Sequence, residues 1–134
     1  MDQQSNSTSM YKDVREFHRK ILAQDAPMTP TVLPPRLRND RINFMWEELI
    51  EFENAHNIVD QTDAMLDLVY VALGTLYLMG IDADTVWKFV QDANMQKVRG
   101  ITKRGMEYDA VKPPGWVAPE GRIKAYLEEQ GYKE

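Results

Sequence analysis

Residues 60–80 read DQTDAMLDLVYVALGTLYLMG. The charge-free run inside this stretch, Leu68–Ile81, spans 14 residues and is the longest in the chain. A membrane helix needs about 18–20 apolar residues. The run therefore predicts a helix buried inside a protein. From Leu68 to Met79 it is apolar on nearly every side, and Gly80 supplies a stop. The predicted helix is Asp60–Met79. Asp63 and Asp67 lie one turn apart on a narrow arc that continues through Val71 and Gly74. Asp67 thus sits where its stripe enters the interior. A buried carboxylate without a partner is costly. It calls for an Arg or Lys, or for a cation shared with other acids.

Working upstream, Trp46-Glu47-Glu48-Leu49-Ile50-Glu51 lies in a second predicted helix, Leu37–Asn57. Ile42, Met45, Trp46, Leu49, Ile50 and Phe52 form its apolar stripe. Measured from Ile42, Glu47, Glu51 and Glu48 fall at about 140°, 180° and 240°, one arc opposite that stripe. A solvated acidic face is the ordinary reading of such an arc. The acids of the neighbouring helix open the other. Mg²⁺ is a hard cation that prefers oxygen ligands. Two helices of a bundle can offer carboxylates one turn apart into one cleft. Four or five acids so placed repel one another strongly without a metal. With one they bind phosphates and activate water.

Outward from this pair, Tyr11, Val14, Phe17, Ile21 and Leu22 predict an amphipathic helix over Tyr11–Gln24. Pro27, Pro30, Pro34 and Pro35 predict a loop after it. A fourth helix starts from a cap at Asp82 or Asp84 and runs to Val98. Arg99–Pro119, with three glycines and three prolines, reads as irregular, and Arg122–Gln130 as a short last helix. No segment alternates as a strand. Met1–Ser9 is polar and reads as a disordered tail ahead of a single domain over 10–134. The expected fold is all-α, a four-helix bundle core with a polar N-terminal tail and a looped C-terminal tail.

Composition narrows the function. The chain has 134 residues, a formal charge of −5 and no cysteine. The acidic balance disfavours nucleic acid as a partner. Cysteine-ligated zinc, iron–sulfur clusters and thiol nucleophiles are excluded. With only His18 and His56, any metal is expected on carboxylates. No apolar targeting segment is present, so the expected compartment is the cytoplasm, with no membrane association.

The ordered motifs resemble the all-α nucleoside triphosphate pyrophosphohydrolases, specifically the MazG-like group. That superfamily carries EExxE on one helix and ExxD on the next. Glu47, Glu48 and Glu51 match the first motif and Asp67 ends the second, where Ala64 replaces the glutamate. Asp63 is the substitute one turn before Asp67. Asp67 through Thr75 resembles DLLYVxxGT. Asn94-Met95-Gln96-Lys97-Val98 resembles NMxKV, and Lys112-Pro113-Pro114-Gly115-Trp116 resembles KPxGW.

The resemblance implies Mg²⁺, or Mn²⁺, on Glu48, Glu51, Asp63 and Asp67. Glu47 and Glu48 are implied as catalytic, Glu47 orienting water or completing a second metal site. Asn94 and Lys97 are implied to hold phosphate or sugar. A homodimer or dimer of dimers is implied, as is cleavage of a nucleoside triphosphate to monophosphate and pyrophosphate.

The remaining residues keep two readings. Arg41 either binds phosphate or neutralises an acid. Lys103, Arg104 and Lys112 either close over a triphosphate or are solvated charge. Trp116 is the best of three tryptophans for stacking a base. His18 reads as structural or exposed, and His56 as a dipole partner at a helix end. Two other functions stay open: phosphoribosyl-ATP pyrophosphohydrolysis, and a non-catalytic helical module, which the alanine at position 64 favours.

Overall fold

The computed structural model describes residues 7–101, 104–106 and 108–134. Five helices and one two-stranded ribbon make up the described structure. The chain divides into two compact units, one ending at Ala83 and one spanning Asp84–Glu134. The all-α reading holds.

Helix α1 spans Met10–Lys20. The Ser9 side chain caps it by accepting from the Lys12 backbone N–H at 3.0 Å. It ends four residues sooner than the periodicity predicts. Ile21 and Leu22 both donate back to the Phe17 carbonyl, and Gln24 donates to the His18 carbonyl. Ala23 takes a positive φ of 52° to make that turn. Ile21 and Leu22, counted into the buried stripe, are instead exposed.

Helix α2 spans Pro35–Asn54, with proline at its first turn, where the absent N–H costs nothing. Helix α3 spans Ile58–Leu78. Asn57 caps it through a 2.8 Å bond from the Asp60 N–H. Gly80, at φ 75°, ends it. Helix α3 packs against both α1 and α2. This is why its apolar run tolerates so few polar residues. The core of the unit gathers Tyr11, Tyr77, Leu78 and Ala83.

The proline-rich loop is pinned onto α3. The Tyr77 hydroxyl donates to the Gln24 carbonyl at 2.8 Å and accepts from the Ala26 N–H at 3.0 Å. The Thr31 N–H donates to the Met79 carbonyl.

Helix α4 spans Ala83–Met95, shorter than predicted. The sequence from Val98 is not wholly irregular. Strand β1, Val98–Gly100, pairs antiparallel with β2, Asp109–Val111, in the register Val98 to Val111 and Gly100 to Asp109. Three residues per strand are too few for alternation to be visible in a sequence. Helix α5 spans Glu120–Glu129. It meets α4 through Phe89 against Tyr126 and an Arg122–Asp92 ion pair at 3.1 Å.

No single helix among the described residues is long and apolar enough to cross a membrane. Most of the expected disordered tail, residues 1–6, lies outside the described residues, as does Lys103.

Candidate metal and phosphate site

The acidic arc of α2 is not wholly solvated: Glu48 is half-buried beside Asp67 of α3, while Glu47 and Glu51 are exposed. Carboxylate oxygens of Glu48, Glu51 and Asp67 all lie within 4.8 Å of one another. Glu48 and Asp67 are half-buried and Glu51 is exposed. One oxygen of Glu48, Oε2, is sealed from solvent and has no hydrogen-bond partner among the described residues. Burial pushes the Glu48 pKa up to about 7; the close approach of Glu51 adds to it, then the charges of Asp67 and Glu47. As anions these carboxylates have no donor between them, so one can bond another only by keeping a proton. Asp67 is raised too, by burial first and then by Asp63 and Glu51. Three acceptors converging without a donor is the donor set a hard divalent cation takes. An orphaned buried carboxylate oxygen is costly unless something cationic completes it.

Asp63 is exposed and outside this trio, although its charge reaches Asp67. Ala64, which stands where the related motif has glutamate, is buried to 2% exposure. Glu47 is exposed beside Glu48.

Arg41 neutralises no acid among the described residues. It is 8% exposed, and its guanidinium is committed to α3. Nε donates to Thr75 Oγ1 at 3.0 Å, and Nη2 donates to the Val71 carbonyl at 2.9 Å. No carboxylate among the described residues pairs with it. Arg41 and Glu48 lie seven residues apart and share a face of α2. Val71 and Thr75 lie four and eight residues past Asp67 and share its face of α3. Arg41 is thus the staple of an antiparallel helix pair, fixing the register that brings Glu48 opposite Asp67.

His18 joins this node, 2% exposed, with Nδ1 2.8 Å from Gln24 Oε1. Burial holds its pKa below the ordinary value; Gln24 opposes that shift and the Arg41 charge reinforces it. Gly74 makes the space. A Cβ there would lie 2.4 Å from His18 Nε2 and 2.8 Å from Arg41 Nη2. A glycine inside a strongly helical run was the signal available in the sequence, since it costs about 1 kcal/mol relative to alanine unless something occupies the vacated space. His56 lies exposed, two residues past the end of α2.

Asn94, Lys97 and Lys112 belong to the second unit. The Lys97 N–H donates to the Asn94 carbonyl at 3.1 Å, turning the chain out of α4. Trp116 donates from Nε1 to the Ala93 carbonyl at 2.7 Å. Arg104 pairs with Asp109.

The sequence profile of the phosphoribosyl-ATP pyrophosphohydrolase family matches residues 14–94. The match covers more than half the chain and includes the later part of α1, all of α2 and α3, and all the acids of the cluster. A search of curated proteins finds no match to this chain. The chain belongs to the phosphoribosyl-ATP pyrophosphohydrolase family, within the all-α nucleoside triphosphate pyrophosphohydrolase superfamily. Its class is that of a hydrolase acting on acid anhydrides.

Proposed function

We propose that this chain is a Mg²⁺-dependent pyrophosphohydrolase that cleaves a ribo- or deoxyribonucleoside triphosphate to the monophosphate and pyrophosphate. The observation that carries this reading is the convergence of carboxylate oxygens of Glu48, Glu51 and Asp67 within 4.8 Å, together with a buried Glu48 oxygen that has no partner among the described residues. The motifs of Asn94–Val98 and Lys112–Trp116, at or beyond the end of the matched region, favour the MazG-like group over the histidine-pathway type.

Glu48, Glu51 and Asp67 are the residues that hold the metal, with Asp63 joining from the next turn. When bound, Mg²⁺ (or Mn²⁺) supplies neutralisation of phosphate charge and an acidified water. In the reaction a water oxygen attacks the α-phosphorus. The bond from that phosphorus to the α–β bridging oxygen breaks, pyrophosphate leaves, and one water proton is lost. Glu47 is exposed and one residue from the trio, and it takes the part of orienting that water and accepting its proton. Asn94, Lys97 and Lys112 take the part of recognising phosphate or sugar. Arg41 is better assigned to holding the two acid-bearing helices in register than to touching substrate.

Phosphoribosyl-ATP as substrate is the second reading, favoured by the family match itself. Both substrates present the same triphosphate and release pyrophosphate. Pyrophosphate release from a panel of nucleoside triphosphates and from phosphoribosyl-ATP, with Mg²⁺ and with EDTA, separates them. Turnover of none, with or without metal, leaves a non-catalytic binding module and overturns the enzymatic reading.

A further inference from the structure

In the second unit two cations meet on one aromatic ring. Lys97 Nζ and Lys112 Nζ each stand 5.1 Å from the centroid of the Trp116 ring. Trp116 is anchored through ring and main chain: Nε1 donates to the Ala93 carbonyl at 2.7 Å, and the backbone N–H donates to the Pro113 carbonyl at 3.0 Å. Gly115, at φ 80°, makes the tight turn that delivers the ring. Neither ammonium pairs with a carboxylate among the described residues.

An indole face attracts an ammonium but does not neutralise it. Two such charges on one ring repel each other, and they stand no further apart than twice the ring distance. A multivalent anion relieves that repulsion by bridging them. A chain of linked phosphates can place charge along the whole of such a span, which a single phosphate cannot.

We infer that Trp116 is a positioning residue that holds Lys97 and Lys112 as a paired cationic site for an oligophosphate. The inference deepens the pyrophosphohydrolase reading, on which it rests for its biological ligand, a nucleotide's phosphate chain or the pyrophosphate released from it.

The test needs no turnover. The full chain is titrated with inorganic tripolyphosphate, and separately with orthophosphate, in EDTA. Binding is followed by calorimetry and by the Trp116 indole N–H resonance, assigned from its loss in Trp116→Phe. Tripolyphosphate should shift that resonance and bind about tenfold or more tighter than orthophosphate. Lys97→Met and Lys112→Met should each weaken tripolyphosphate about tenfold. Trp116→Leu should do the same with both lysines still present, and Trp116→Phe should recover part of the loss.

Tripolyphosphate that leaves the resonance unmoved overturns the inference. So does Trp116→Leu binding like the parent, or orthophosphate binding equally well. Should Trp116→Leu not fold, the double variant Lys97→Met with Lys112→Met decides: losses that simply add show two unrelated lysines, while coupled losses show one site. A chain that binds tripolyphosphate in this way yet releases no pyrophosphate from any nucleotide defeats the enzymatic reading and leaves this site standing.

Discussion

Glu48 is the residue on which proton, stability and the proposed metal meet. Its pKa in the fold is about 7, against an ordinary value of 4.5. The fold therefore favours the protonated form. Without metal, the stability Glu48 contributes is present below its ordinary pKa and is lost as pH rises toward 7. Metal acts in the opposite sense, because the proton must leave before a cation binds. In EDTA at pH 8, Glu48→Gln should melt above the parent; at pH 5 the two should nearly coincide. With millimolar Mg²⁺ at pH 8 the parent should gain stability by mass action, and Glu48→Gln should gain little. Parent melting curves that coincide in Mg²⁺ and EDTA at pH 8 would contradict the metal site.

Gly74 carries the second prediction at this scale. Gly74→Ala raises helix propensity by about 1 kcal/mol. Yet its methyl collides with the His18 ring and with Arg41, both buried and hydrogen-bonded. The net effect should be a loss of about 1–3 kcal/mol in chemical denaturation. A stabilised Gly74→Ala would show that the His18–Arg41 node yields freely.

At the scale of elements, α2 shows what the sequence could and could not reveal. Its helix and its acidic arc were both legible, because both follow from a period of 3.6 residues. Which arc faces the neighbouring helix was not. Periodicity pointed Ile42, Trp46, Leu49 and Ile50 inward, but the face that meets α3 carries Arg41 and Glu48. An arginine that uses its fork on a carbonyl and a hydroxyl looks in sequence like any surface arginine. The short hairpin and the early end of α1 were hidden for a simpler reason, since each depends on a few backbone bonds that no side-chain pattern encodes.

The register role of Arg41 can be set against plain electrostatics. Removing a cation near acids should tighten Mg²⁺ binding if charge alone matters. If Arg41 holds Glu48 opposite Asp67, Arg41→Met should weaken Mg²⁺ binding although it removes no ligand. It should also cost about 2–3 kcal/mol of stability. Arg41→Lys keeps the charge but loses the fork, and should resemble Arg41→Met. Calorimetric Mg²⁺ titration of the three proteins decides the matter, and tighter binding by Arg41→Met would refute the staple.

At the scale of the whole molecule, the apolar face of α2 and α3 asks for a cover. Trp46 is 59% exposed, Ile58 80%, Val59 71% and Leu66 57%, with Ile50 beside them. These residues occupy the C-terminal half of α2 and the N-terminal half of α3. The antiparallel register places those halves at the same end of the pair, which is also the end that carries Glu48, Glu51 and Asp67. Soluble monomers rarely leave so many large apolar side chains in water at one end of a helix pair. A second copy of the chain, presenting the same face across a two-fold axis, would bury it.

We expect a homodimer or a dimer of dimers with an apolar, obligate interface. Because these residues share an end of the helix pair with the acids, assembly and metal binding should fall together. Leu66→Glu places a charge in the middle of the face while leaving the trio intact. Sedimentation at micromolar concentration should show the parent as an oligomer and Leu66→Glu shifted toward monomer. The parent's melting temperature should rise with protein concentration, and that of Leu66→Glu should not. Mg²⁺-dependent pyrophosphate release should drop with the loss of the oligomer. An active parent sedimenting at 15.6 kDa would leave the exposed face without this explanation.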